Sequence, residues 1–206
     1  MAKSRPIAEI GKDDAFASVA ARVVETRTQE LVEHSEGVLD LGDIERLHDM
    51  RVATRRLRAS LEVFQPCFPK KRYKAAHREV KALAECVGER RDRDVTLEEL
   101  DRFAAGLGAA DRPGVRSLAA AVRDEQAEAN LRLAPSVTTE RVAALAERLL
   151  SLAAAARALV EPAQAEEPEA PPEPARPESA RSPEPRPAPA PELPPAPAGA
   201  NGGEPR

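Results

Sequence analysis

Fifteen of the chain's 20 prolines lie from Glu161 onward, within the last 46 of its 206 residues. Proline has no amide hydrogen to give a helix or a sheet ladder, and its ring fixes φ, so a segment this rich in it builds neither. Its repeated Pro-Glu, Pro-Ala and Pro-Pro steps also leave too few apolar side chains to offset the entropy of ordering. Residues 161–206 are therefore expected to be a disordered Pro/Ala/Glu-rich tail with polyproline II bias, serving as a spacer or solubilising segment. The other five prolines stand at positions 6, 66, 69, 113 and 135 and leave long uninterrupted stretches between them. That division gives a polar N-terminal segment (1–12), a folded domain (13–160) long enough for one hydrophobic core, and the tail.

Within the folded part the prolines stop helical patterns and no strand-like alternation is found. Helices are predicted at about 13–36, 43–65, 70–91, 93–107, 114–133 and 138–160. Asp43, Asp92 and Ser136 or Thr138 occupy N-cap positions, and Gly88 is expected as the C-cap that separates the third helix from the fourth. The fold class is all-α, an antiparallel helical bundle.

The whole chain sums to a net charge of −4, but the tail holds nine Asp/Glu against four Lys/Arg, which leaves 27 basic and 26 acidic side chains in residues 1–160. The folded part is thus nearly neutral. Arg outnumbers Lys 25 to 6, a bias that suits forked recognition of phosphate or carboxylate and that a GC-rich genome would also produce. Cys67 and Cys86 stand nineteen apart without a C-x-x-C, so neither zinc nor a disulfide framework is signalled. No signal-like apolar region follows the polar N-terminus, and the longest uncharged apolar run, Leu149 to Ala156, is far short of a membrane span. A cytoplasmic protein with reduced thiols, no membrane partner and no cofactor is expected.

The chemistry is concentrated between Leu47 and Val95, and begins with Leu47-His-Asp-Met-Arg-Val-Ala-Thr-Arg-Arg-Leu-Arg58. On a helix, His48, Arg51, Arg55 and Arg58 fall within a sector of about 80°, beside an apolar stripe of Met50, Ala53, Leu57, Leu61 and Phe64; Arg56 points elsewhere. Like charges stacked at such spacing cost a few tenths of a kcal/mol per pair. Two things compensate such a cost. Carboxylates of other helices, with Asp92, Asp94, Glu85 and Glu89 as candidates, complete an ion-pair network, or an anion rich in phosphate oxygens enters and takes the guanidinium forks. The spacing leaves both open.

The next helix repeats the theme, with Lys70, Lys74, His77, Arg78 and Lys81 opposite Tyr73, Ala76, Val80, Leu83 and Val87. A solvated face explains it; two antiparallel neighbours would also make a basic groove. Arg91, Asp92 and Asp94 come next in the chain, as capping and pairing residues or, for the two aspartates, as groups that hold the arginines of the preceding helices in position.

His48-Asp-Met-Arg-Val-Ala-Thr-Arg-Arg-Leu-Arg58, followed by Lys81 and then by Gly88-Glu-Arg-Arg-Asp-Arg-Asp-Val95, resembles the CHAD family, named for a histidine within an α-helical domain, over roughly residues 13–160. The resemblance implies a non-enzymatic helical module that binds inorganic polyphosphate through a basic surface and associates with polyphosphate granules. It implies phosphate contacts by His48, Arg51, Arg55, Arg58 and Lys81, with Arg56, Lys74 and Arg91 as further candidates. The family carries two related halves, each with its own H-x-x-R-x-x-x-[KR]-R-L-[KR] stretch, whereas this chain has one. It is therefore expected either to act as a half-length member or to pair as a homodimer that rebuilds the two-repeat arrangement.

Other readings meet specific obstacles. His48-Asp-Met-Arg51 is similar to a histidine phosphoacceptor box, but the threonine-proline that normally follows is absent, as is a Gly-rich nucleotide site. No H-x-H or G-x-x-x-x-G-K arrangement supports phosphatase or kinase chemistry, and Asp92 and Asp94, at i and i+2 on a helix, make a poor shared metal geometry, so no catalytic or metal-binding residue is assigned. A basic groove also suits nucleic acid or an adaptor role, but five aromatics, mostly on apolar faces, give few base-stacking platforms.

Overall fold

A computed structural model describes residues 4–7 and 10–160, and among them it contains helices and no strands. The elements are α1 (Phe16–Ser35), α2 (Ile44–Val63), a 3₁₀ turn (Gln65–Cys67), α3 (Lys70–Ala105), α4 (Arg112–Leu133), a second 3₁₀ turn (Ala134–Ser136) and α5 (Thr139–Arg157). The all-helical expectation holds. The predicted tail, residues 161–206, lies outside the described residues.

Pro66 and Pro135 each sit in the first turn of a 3₁₀ segment, and Pro113 in the first turn of α4, where a missing N–H removes no intrahelical bond. Thr138 caps α5, its hydroxyl accepting from the Arg141 amide at 3.3 Å. Asp43 occupies the N-cap position of α2 but makes no side-chain cap bond; its carboxylate accepts instead from Arg46 Nε at 2.9 Å. The chain leaves α1 through Gly37, whose φ of 68° is the left-handed conformation that glycine takes without strain.

The break predicted at Gly88–Asp92 does not exist. α3 runs unbroken for 36 residues, about 54 Å at 1.5 Å per residue, and Gly106 follows its last turn as the C-cap. Gly88 costs up to about 1 kcal/mol relative to alanine in a helix interior. The buried Val80, Leu83 and Val87 before it and the buried Arg90–Asp94 pair after it carry the helix across. Asp92 is an exposed mid-helix residue and caps nothing.

α1 packs against α2 and α5, α2 against α3, and α5 also against α3. The main core joins Ala20, Val24 and Leu31 of α1, Leu47, Met50, Leu57 and Leu61 of α2, Tyr73, Val80, Leu83 and Val87 of α3, and Leu149, Leu152 and Ala156 of α5. A Leu side chain buried this fully stabilises the fold by roughly 1.5–3 kcal/mol. This core takes nothing from α3 beyond Val87 and only Leu133 from α4. α4 lies along the C-terminal half of α3, burying Ala119, Val122, Gln126 and Ala129, with Arg93–Glu125 and Glu89–Arg132 pairs at 3.4 and 3.5 Å along the seam.

At the other end of the chain, the polar start is tied to α1. The Arg5 amide donates to Glu30 Oε1 at 2.6 Å, and Arg27 Nη1 donates to Ser4 Oγ at 2.8 Å.

Candidate functional site

α2 and α3 run antiparallel, and one bond fixes their register: His77 Nε2 of α3 lies 3.2 Å from Glu62 Oε1 near the end of α2. Counting down α2 and up α3 from that bond sets Arg58 opposite Lys81, Arg55 opposite Ala84, Arg51 opposite Gly88 and His48 opposite Arg91. The side chains agree. Arg51, Thr54, Arg55 and Arg58 of α2 and Ala84 of α3 line a groove of about 250 Å³, and a Cβ added to Gly88 would lie 3.0 Å from Arg51 Nη1.

The apolar face of α2 builds this groove. Leu47, Met50, Ala53, Leu57 and Leu61 are buried in the core, which turns the neighbouring stripe of arginines along the seam with α3. Thr54 is buried and spends its hydroxyl on the carbonyls of Met50 and Arg51, both at 3.0 Å, so it offers the groove no free donor. On α3, Ala84 and Gly88 present almost no side chain, and their smallness is what leaves the space open.

The groove is electrostatically uneven. Arg58 Nε lies 3.5 Å from Glu62, which His77 also meets, and Lys81 Nζ lies 3.7 Å from Glu85. All four side chains in the Arg58–Glu62 and Lys81–Glu85 pairs are more than a third exposed, so these pairs are weak and readily exchanged. Arg51 and Arg55 are exposed, and among the described residues neither has an ion-pair partner.

Each carboxylate considered as a partner for this stripe is engaged elsewhere or turned to solvent. Glu85 meets Lys81 and Glu89 meets Arg132. Asp94 is fully buried, bonded to Arg90 of its own helix and, through Oδ1, to Gln126 Nε2 of α4 at 2.6 Å. Asp92 is exposed. The expectation that Asp92 and Asp94 hold the α2 arginines is therefore corrected: Asp94 braces α3 against α4, and Asp92 has no contact with the groove.

The remaining candidates spread out. His48 is half-buried one turn before Arg51 on the same face. Arg91, opposite it in register, keeps Nη2 3.8 Å from Glu98 and has a buried Nη1 without a partner. Lys74 is exposed on α3 two turns before Lys81, beyond the point where α2 ends. Arg56 does not line the groove and has an interaction of its own. Thr54, Ala84 and Gly88 were missed by sequence reasoning; the signal for the last two was a pair of small residues three and seven positions after Lys81, on the face bearing that lysine.

Chemically the groove offers planar cationic forks and little else. No aromatic ring lines it. Cys67 is buried and Cys86 half-buried, and burial pushes both thiols up from their ordinary range, aided at Cys86 by Glu89 and Glu85; neither lines the groove. Among the described residues no group of three His, Cys, Asp or Glu side chains is placed to hold a metal ion, and no helix is long and apolar enough to cross a membrane.

A family model described as CHAD domain matches residues 22–188, which is most of the chain and includes both helices of the groove. The chain belongs to the CHAD-domain family. The match also runs past Val160 into the proline-rich segment. CHAD domains are associated with proteins of polyphosphate and phosphate metabolism. No curated protein and no solved structure matches the chain.

Proposed function

We propose that the α2–α3 groove of this CHAD protein binds inorganic polyphosphate and that it binds without turning its ligand over. The observation that carries the reading is the pair Arg51 and Arg55, which line one groove without a carboxylate partner among the described residues. Two neighbouring guanidinium groups offer forked donors to successive phosphates of a chain. Arg58 and Lys81 extend the positive track, exchanging Glu62 and Glu85 for ligand oxygens. The absence of an aromatic ring in the groove favours a polyanion without bases over single-stranded nucleic acid.

The test is a titration of the full chain with long-chain polyphosphate, with triphosphate and single-stranded DNA as competitors, repeated on Arg51→Ala/Arg55→Ala. Selective binding that the double variant loses and that weakens steeply with salt supports the groove, since each phosphate held displaces counterions. Equal, weak binding to every polyanion overturns it. Association with polyphosphate granules is part of the same proposal and is checked by co-localisation of the labelled protein with granules. A homodimer that places two such grooves together is its companion, and a strictly monomeric mass by light scattering with polyphosphate present rules that out.

A further inference from the structure

We infer that Gly88 seats Arg51, holding its guanidinium in the groove by having no side chain of its own. Gly88 is buried in the interior of a 36-residue helix, where glycine is less favourable than alanine and no turn asks for it. Its φ is not positive, unlike that of Gly37. What a Cβ at position 88 meets is one atom, Arg51 Nη1 at 3.0 Å, with nothing else within 4 Å apart from the immediate chain and the helix's own backbone. The clearance therefore serves Arg51. With no carboxylate to fix it, that side chain keeps its place by lying against the bare backbone of α3, one step along the groove from Arg55 opposite Ala84. A methyl at position 88 pushes the guanidinium off by a few tenths of an ångström or swings it toward solvent. Gly88 is thus a positioning residue whose effect on a ligand passes through Arg51.

The inference rests on the polyphosphate reading for its consequence but not for its geometry, and the experiment separates the two. Gly88→Ala, Arg51→Ala and the double variant are compared in the full chain by thermal melting, by the ¹⁵N side-chain resonance of Arg51, and by titration with long-chain polyphosphate. Gly88→Ala is expected to shift the Arg51 resonance, to leave the melt unchanged or raised, and to weaken binding about threefold. Added to Arg51→Ala it is expected to change binding no further. An unshifted Arg51 resonance overturns the seat whether or not polyphosphate binds. So does an equal loss of affinity with and without Arg51. If Gly88→Ala lowers the melt and adding Arg51→Lys restores it, because a slimmer ammonium clears the methyl, the seat is supported; a melt lowered in both overturns it. Polyphosphate that fails to bind the unaltered chain defeats the groove's proposed ligand, while the resonance still decides the role of Gly88.

Discussion

On α2, Arg51 and Arg55 stand exposed in a groove with no ion-pair partner among the described residues. On α3, Arg90 is fully buried against Asp94, whose other oxygen accepts from Gln126 of α4. The two situations differ in what water does. An exposed guanidinium keeps its hydration, so leaving it unpaired costs little and a ligand can exchange with solvent there. A buried one has lost several kcal/mol of hydration, and the fold persists only while a carboxylate offsets that loss. Arg90 still has Nε and Nη2 without protein partners, which makes its bond to Asp94 the more necessary. The cation that looks most constrained is thus committed to the fold, and the ones that look neglected are available for binding.

The largest effect expected from breaking this contrast is at Asp94. Asp94→Ala leaves Arg90 buried without its carboxylate and Gln126 without its acceptor, and a loss of about 3–5 kcal/mol of stability is expected. Chemical denaturation measures it, and a loss under about 1 kcal/mol would show that α3 and α4 hold together by their apolar seam alone. Arg51→Ala/Arg55→Ala is the mirror experiment. Its stability is expected to stay within about 0.5 kcal/mol of the unaltered chain. Its affinity for polyphosphate is expected to fall about a hundredfold or more, at roughly 1.5–3 kcal/mol per charged hydrogen-bonding group removed. A double variant that loses stability but not affinity would exchange the roles assigned to the two kinds of arginine.

The same contrast explains what the sequence could and could not tell. The α2 stripe was legible because a single helix carries it: the spacing of Met50, Ala53, Leu57 and Leu61 sets the buried face, and the positions of Arg51, Arg55 and Arg58 follow. The roles of Asp92 and Asp94 were not legible, because alternating acids and bases read equally well as a turn between helices and as the seam of one long helix. What decides is α4, more than thirty residues later in the chain, which supplies Gln126 to Asp94. Gly88 misled for a related reason. Glycine near the end of a helical pattern is a stop signal, and only the neighbouring helix shows that it clears space for Arg51. The helices other than α3, the cap at Thr138 and the place of Pro113 at the start of α4 were within reach of local rules.

Between the two extremes lies the paired end of the groove. Glu62 serves both Arg58 and His77 from a side chain that is half exposed. A ligand reaching Arg58 has to displace it, but exposed pairs of this kind are worth about 0–1 kcal/mol. Glu62→Gln is therefore expected to raise polyphosphate affinity modestly, by up to about threefold at low salt. An affinity that falls instead would mean that Glu62 holds Arg58 in its binding position and does not compete with the ligand.

The smallest effect expected is at Arg56, and it sharpens the comparison most because it removes the variable of charge. Arg55 and Arg56 are adjacent on one helix and carry the same group, yet Arg55 lines the groove and Arg56 does not. If net positive charge attracts the polyanion, losing either arginine costs the same. If the groove binds it, Arg55→Ala lowers affinity about tenfold and reduces the slope of log affinity against log salt by about one, as the loss of one phosphate contact does. Arg56→Ala then changes affinity less than about twofold, since a charge off the contact face acts only through solvent and is screened within about 8–10 Å. Equal slopes for the two variants would reduce the groove to a diffuse positive surface, and unequal slopes would tie binding to the face of α2 that its own apolar residues set.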